Sequence, residues 1–267
     1  MKQHILSNLP GDHPWQNQIY WFDSIDSTNL EAKHMAQQGA PHGAVLIADH
    51  QTAGRGRMGR SFLSPARTGI YMSVILRPNC APAELMHLTC AAAVATCDAV
   101  ENAAGFRPGI KWTNDLVYQS RKLAGILTEL SIDPKSGLVD FVIIGIGINC
   151  CQKELDFDPS IRSFAGSLSM FAAQEIDRSR VAACLIRAIE QMSAALLATP
   201  QCIMEQYRQD CITIGKDISL VRADGVARHG YALDVDNAGA LLVRFPDGTL
   251  ETVNSGEVSV RGMYGYI

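Results

Sequence analysis

The run Gln51-Thr-Ala-Gly-Arg-Gly-Arg-Met-Gly-Arg60 interleaves three arginines (Arg55, Arg57, Arg60) with three glycines (Gly54, Gly56, Gly59). Glycine permits positive φ and close backbone approach. Arginine forks give bidentate, charge-assisted bonds to phosphate or carboxylate oxygens, and successive amides in such a turn can form an anion-binding nest. The pattern suits a clamp for a small anion; a solvated basic loop or a nucleic-acid patch would use the same residue types. Charge distribution favours the small ligand. The chain has 23 Lys plus Arg against 27 Asp plus Glu, a net charge of -4. Positive charge is therefore local to this loop, whereas a nucleic-acid binder carries a broad basic face.

A second polar constellation is Lys111-Trp-Thr-Asn-Asp115, followed closely by Arg121-Lys-Leu-Ala-Gly125. Lys111 and Lys122 can neutralise phosphates as point charges. Asp115 can hold Mg²⁺, an ion that uses few protein carboxylates and shares substrate phosphates. The plainer alternative is an Asn-Asp turn flanked by surface lysines. Gly145-Ile-Gly-Ile-Asn149 brings backbone close to a neighbour, but it lacks the third glycine and following helix of a dinucleotide fingerprint, so a Rossmann site is set aside. The eight cysteines include no C-x-x-C pair, which argues against disulfides and structural zinc. Adjacent Cys150 and Cys151 at a strand end read as incidental rather than redox-active. Of the seven histidines only His50 lies beside the arginine run, and it reads as structural.

The elements that must position these residues can be traced from periodicity. Residues 19–25 alternate as a strand, and a helix starts at Ser27-Thr28-Asn29 with a capping box from Thr28 to Glu31, closed by Gly39 and Pro41. Strands at 43–50 and 69–76 flank the arginine loop, and 83–104 reads as a long buried helix. Further strands are expected at 109–111, 122–131 and 140–149, the last two joined by the turn 133–137. Helices follow at 177–198, behind an aspartate cap, and at 201–210. The fold class is thus α/β (α+β) with a mixed sheet. After residue 212 short β segments alternate with turns at 236–239 and 246–248, the pattern of a small β-barrel.

At 267 residues and 47% hydrophobic the chain supports one large core and a small second domain. Residues 1–14 are polar and broken by Pro10, Gly11 and Pro14, unlike a signal peptide or targeting helix, and no apolar run looks long enough to span a membrane. A cytoplasmic location and no membrane partner are the expectation.

Taken in order, Asp26-Ser-Thr-Asn29, the Gly-Arg-Gly-Arg-x-Gly-Arg loop with Ser64-Pro65, Lys111-Trp-x-Asn-Asp115, Arg121-Lys-Leu-Ala-Gly-Ile-Leu127 with Glu129, and Gly145-x-Gly-Ile-Asn149 resemble the biotin–protein ligase family from about residue 20 to the end. The resemblance implies an N-terminal extension at 1–18, a catalytic biotin/lipoate-ligase-like domain at 19–211 and an SH3-like C-terminal barrel at 212–267. It implies an ATP-dependent ligase that makes biotinyl-5'-AMP and passes biotin to a lysine of a biotin carboxyl carrier protein, with ATP and Mg²⁺ and without a nucleophilic serine or cysteine. Ser27, Thr28, Asn29, Gln51, Gly54, Arg55, Arg57, Lys122, Gly125 and Leu127 would contact biotin. Arg55, Arg57, Arg60, Lys111, Asn114, Asp115 and Asn149 would serve the nucleotide, with Lys122, Arg57 and Lys111 acting on the reacting groups and Asp115 on the metal.

The chain departs from the family pattern at Thr113, where proline is common, at Phe62, where tryptophan is frequent, at the variable Met58, and at Cys150; none of these removes a charge the chemistry needs. The segment ahead of the first strand is too short for the winged helix-turn-helix of the biotin-responsive repressors, so DNA is not an expected partner. A lipoate–protein ligase, a biotin-binding regulator and a catalytically dead binder are the alternatives. Relatives can pair edge to edge through the catalytic sheet, so a monomer or a homodimer is compatible.

Overall fold

The computed structural model describes residues 1–222, 225–255 and 258–262; the end of the expected C-terminal domain, 263–267, lies outside the described residues. Seven strands form one mixed sheet in the order β1-β2-β3-β7-β6-β5-β4. They are β1 (Ile19–Phe22), β2 (Ala44–Ala48), β3 (Gly69–Leu76), β4 (Gly109–Lys111), β5 (Asp115–Tyr118), β6 (Arg121–Ile132) and β7 (Val139–Asn149). Only β1 and β2 run parallel; the other neighbours are antiparallel.

Strand alternation divides the apolar side chains between two faces. Ile70, Met72, Val74 and Leu76 of β3 and Val142, Ile144, Ile146 and Ile148 of β7 point to the larger core. That core is covered by α3 (Leu88–Ala104), α4 (Arg178–Ala195) and α5 (Pro200–Asp210). On the opposite face Leu46, Ile75, Phe141 and Ile143 pack under α2 (Thr28–Gln37). Along that face β7 changes from Phe141 and Ile143 to Gly145 and Gly147, so bulk gives way to a shallow floor.

The sequence expectations match closely, with four differences. The capping box at Thr28 is not formed: Ser27 is the N-cap and donates or accepts no side-chain capping bond, because the Thr28 hydroxyl is turned inward toward Gln51 and Ser73. The expected helix 83–104 is a short 3-10 turn at Pro82–Leu85 followed by α3. Residues 82–104 are long and apolar enough to cross a membrane, contrary to the expectation, but the stretch is 72% buried inside the protein, where it serves as the central core helix. The segment Asp115–Tyr118, to which the sequence assigned no element, is strand β5, hairpinned to β6 through Gln119 and Ser120, both at positive φ. Residues 1–18 do not project: α1 (Lys2–Ser7) lies on α4, and Ile5, Leu9 and Trp15 are buried in the main core.

Among the described residues the C-terminal unit is a five-stranded antiparallel sheet ordered β11-β10-β9-β8-β12. The strands are β8 (Asp217–Arg222), β9 (Ala227–Val235), β10 (Leu241–Arg244), β11 (Leu250–Val253) and β12 (Val258–Gly262). It is pinned to the first unit by Trp112 Nε1 donating to Gly239 O at 3.0 Å and Arg208 Nε donating to Val235 O at 2.6 Å.

Candidate active site

The floor of the site is set by strand register. Tyr71 pairs with Gly147 and Ser73 with Gly145 across β3 and β7. Gly147 and Gly145 pair in turn with Gly125 and Leu127 of β6, and Gly125 with Asp115 of β5. These residues share one face, so an aromatic, a hydroxyl, three glycines, a leucine and a carboxylate lie side by side. The glycines are there for contact: a Cβ at Gly147 would stand 2.5 Å from Phe62 Cε1, and one at Gly145 would collide with Asn29 Oδ1.

The N-terminus of α2 forms one wall. Ser27, Thr28 and Asn29 are buried. Thr28 N donates to Gln51 Oε1 at 2.8 Å, with Thr28 Oγ1 3.1 Å from the same oxygen. Gln51 Nε2 donates to Ser64 Oγ at 2.9 Å. Asn29 Nδ2 donates to Glu129 Oε2 at 2.9 Å and approaches Leu127 O at 3.4 Å.

The arginine loop folds back on itself between β2 and β3. Gln51 bridges to Ser64 and Arg55 to Ser61, and Phe62 N donates to Gly54 O at 2.9 Å. Its tip, Arg57–Gly59, is a single 3-10 turn with Met58 at φ 54° and Gly59 at φ 73°. Arg55 pairs with Glu129 at 3.4 Å. Arg57 donates to Asn114 Oδ1 at 2.8 Å and to the carbonyl of Ser255 in the C-terminal unit. Burial lowers the Arg57 pKa, Asp115 opposes that effect, and the guanidinium stays charged at any physiological pH. Arg60 closes the turn, its carbonyl accepting from Gly56 N at 2.7 Å. Phe62 meets Tyr71 edge to face at 6.3 Å and covers Gly147, filling the place where the family often has tryptophan.

At the far end of the floor, Lys122 Nζ lies 2.6 Å from Asp115 Oδ1. Lys111, largely buried, stands opposite Asp115 in register. Asn114 locks the β5 entry, its Nδ2 donating to Ile126 O at 2.9 Å and its backbone oxygen accepting from Ile126 N. Asn149 lies at the end of β7 with its amide engaged, Nδ2 on Gly166 O at 3.0 Å and Oδ1 accepting from Gln152 Nε2 at 3.3 Å. It secures the 150–176 segment beside Lys122, whose backbone also pairs with Phe164 and Gly166.

The structure brings most of the expected residues to one glycine floor, with Asn149 at its edge and its side chain tied down; Arg60 lies on the exposed loop tip, where its carbonyl holds the turn. Among the described residues there is no cluster of three or more His, Cys, Asp or Glu side chains that could cage a metal. Asp115, already paired with an ammonium, suits a cation that brings phosphate ligands with it and not a resident ion. His50 Nδ1 contacts Ser24 Oγ at 3.1 Å outside the floor. Burial pushes the thiols of Cys150 and Cys151 up, away from the reactive thiolate. Thr113 is buried, its carbonyl accepting from Tyr207 Oη of α5 at 3.1 Å. Arrangement and charge suit an anhydride-forming transfer in which cations flank a reacting carboxyl and phosphate.

Two participants escaped sequence reasoning. Glu129, noted only as part of a motif, joins Asn29 to Arg55. Ser73 was not singled out at all, although a serine facing inward from an otherwise apolar strand must find polar partners.

Residues 21–149 match the biotin/lipoate A/B protein ligase family, and residues 213–261 match the biotin protein ligase C terminal domain. The chain is 36% identical to the bifunctional ligase/repressor BirA of Bacillus subtilis over 91% of this chain and 73% of that protein. It is 35% identical to the biotin–[acetyl-CoA-carboxylase] ligase of Mycobacterium tuberculosis over 87% and 85%. Its structure resembles the biotin protein ligase of Aquifex aeolicus in complex with biotin and ATP, with a TM-score of 0.77 and 26% identity over 92% of this chain and 99% of that one. The two matched domains, the relatives and the shared fold establish that this chain belongs to the biotin protein ligases of the biotin/lipoate A/B protein ligase family.

Proposed function

We infer that the chain is an ATP-dependent ligase that activates biotin as biotinyl-5'-AMP and transfers it to a lysine of a biotin carboxyl carrier protein. In the first step a biotin carboxylate oxygen bonds to the α-phosphorus of ATP and pyrophosphate leaves. In the second, the carrier amine attacks the anhydride carbonyl and AMP leaves. The observation that carries this reading is the arginine loop laid over the glycine floor with Arg55, Arg57 and Lys122 converging on it, in a chain whose relatives are named as biotin ligases.

Ser27, Thr28, Asn29, Gln51 and Gly54 would hold the biotin ring between Phe62, Gly125 and Leu127. A ureido ring offers both donors and acceptors to such a polar wall, whereas a lipoyl dithiolane offers no N–H, which favours biotin over lipoate. Arg55, Arg57 and Arg60 would close over the adenylate, Lys122 would neutralise charge on the reacting carboxyl and α-phosphate, and Lys111, Asn114 and Asp115 would order the phosphates. Mg²⁺ would enter as part of Mg-ATP, with Asp115 as its protein ligand once Lys122 turns to the substrate. Asn149 would act at the ribose end by fixing the segment that follows it. We place the catalytic unit at 19–211 and the C-terminal unit from 212. A cytoplasmic enzyme, as one copy or a homodimer, that does not read DNA is the accompanying proposal. The test is to incubate the chain with ATP, labelled biotin and an unmodified carrier domain: ATP-dependent label on the carrier lysine is expected, and label only with lipoate would overturn the assignment.

A further inference from the structure

Ser73 sits at the middle of β3, fully buried, on the site face. Its Oγ lies 2.8 Å from Thr28 Oγ1 and 2.7 Å from Asn29 Oδ1. One hydroxyl proton cannot serve both contacts. The Glu129 carboxylate accepts from Arg55 and from Asn29 Nδ2. Asn29 must therefore turn Nδ2 toward Glu129 and Oδ1 toward Ser73, and the Ser73 proton goes to Asn29. Ser73 then accepts the Thr28 proton. Gln51 Oε1 receives Thr28 N–H at 2.8 Å and also lies 3.1 Å from Thr28 Oγ1. Ser73 Oγ and Gln51 Oε1 both lie within hydrogen-bond distance of the Thr28 hydroxyl, so its proton stays within this network and the oxygen can meet a ligand only as an acceptor.

We propose that Ser73 is a positioning residue for substrate selection: through Thr28 and Asn29 it fixes an acceptor-only wall that takes an N–H donor of the acid substrate. The inference rests on the biotin-ligase reading, since the ureido N–H groups are the donors the wall would receive. An acid whose ring carries no N–H would leave the remaining acceptor position of the Thr28 oxygen without a donor, a costly arrangement in a buried wall. Ser73 touches no substrate itself. Its hydroxyl matters because it removes the freedom of two side chains that would otherwise rotate between donor and acceptor roles.

The test is a double-mutant cycle on biotin-dependent ATP–pyrophosphate exchange, with wild type, Ser73→Ala, Thr28→Val and the double variant, each checked for its melting temperature. Absence of exchange in the wild type would sink the ligase reading, independently of Ser73. Given exchange, Ser73→Ala is expected to raise KM for biotin by about tenfold or more, with kcat and KM for ATP changed by less than about threefold. The double variant should be no worse than the poorer single one, because both changes break the same relay. Multiplying effects, or an unchanged KM for biotin, would overturn the proposal. Should Ser73→Ala fail to fold, Ser73→Cys retains the bulk with a weak donor and is expected to show the same split; a rise in both KM values alike would contradict it.

Discussion

Lys122 Nζ and Asp115 Oδ1 are 2.6 Å apart across the β5–β6 hairpin, both partly shielded from water. The hairpin twists through an irregular register between Leu116 and Val117, which brings the two side chains onto the same face beside Gly125. A cation held by a carboxylate at the edge of a glycine floor is positioned before substrate arrives, and exchange of that carboxylate for a reacting carboxyl or phosphate costs little reorganisation.

Lys122→Met should therefore reduce biotin-dependent exchange by roughly one to two powers of ten, the loss expected from about 1.5–3 kcal/mol of charge-assisted bonding. Asp115→Asn should act differently, raising KM for Mg-ATP more than KM for biotin. Steady-state kinetics on both variants would show it; equal effects on the two substrates would argue against a role for Asp115 on the nucleotide side.

Arg57 spans three parts of the protein, the loop tip, Asn114 and the Ser255 carbonyl. Replacing it with glycine removes both ties, so Arg57→Gly should form biotinyl-AMP yet release it to solvent early. Rapid filtration after a single turnover would reveal adenylate in the filtrate, while retention like that of the wild type would contradict the assignment.

Phe62 occupies the space above Gly147, and a Cβ there would meet the ring at 2.5 Å. Gly147→Ala must displace the ring from its place over the glycine floor. Biotin affinity by calorimetry should fall by about tenfold or more with little change in melting temperature, because the strand itself has no need of the glycine φ. Unchanged affinity would mean that Phe62 is not part of the pocket wall.

His13 is buried in the packed N-terminal segment, with Nδ1 accepting from Trp15 N at 3.2 Å and Nε2 lacking a partner. Burial, its largest influence, lowers its pKa from the usual 6.5, against an opposing contribution from Glu190. The unfolded chain then takes up a proton more readily than the folded one below about pH 6.5, so stability is present above that pH and falls as the solution is acidified. Melting temperature should drop between pH 7 and 5 in the wild type and less in His13→Gln. Parallel pH curves for the two would refute the link.

Much of this was legible in the sequence because local and global signals agree: the apolar runs of Gly69–Leu76 and Val139–Asn149 mark two central strands, and Asp177 caps α4 through Ser179 N at 2.8 Å. The motif residues Gln51, Arg57, Asn114 and Lys122 do converge, since each sits at a strand end or in the loop between strands. What was hidden depends on partners distant in the chain. β5 is four residues long and gains its strand character from β6. The N-terminal segment looks polar, and only its contact with α4 shows that Ile5 and Trp15 complete the core. Ser73 carries no motif; its meaning comes from α2, 44 residues earlier in sequence.

The most direct test of the account is ATP–pyrophosphate exchange by the purified chain with biotin, and with lipoate as the competing acid. Exchange that requires biotin, is not supported by lipoate, and collapses in Lys122→Met is the predicted result. Exchange supported by lipoate alone, or tight biotin binding with no exchange, would contradict the assignment of this site to biotin activation.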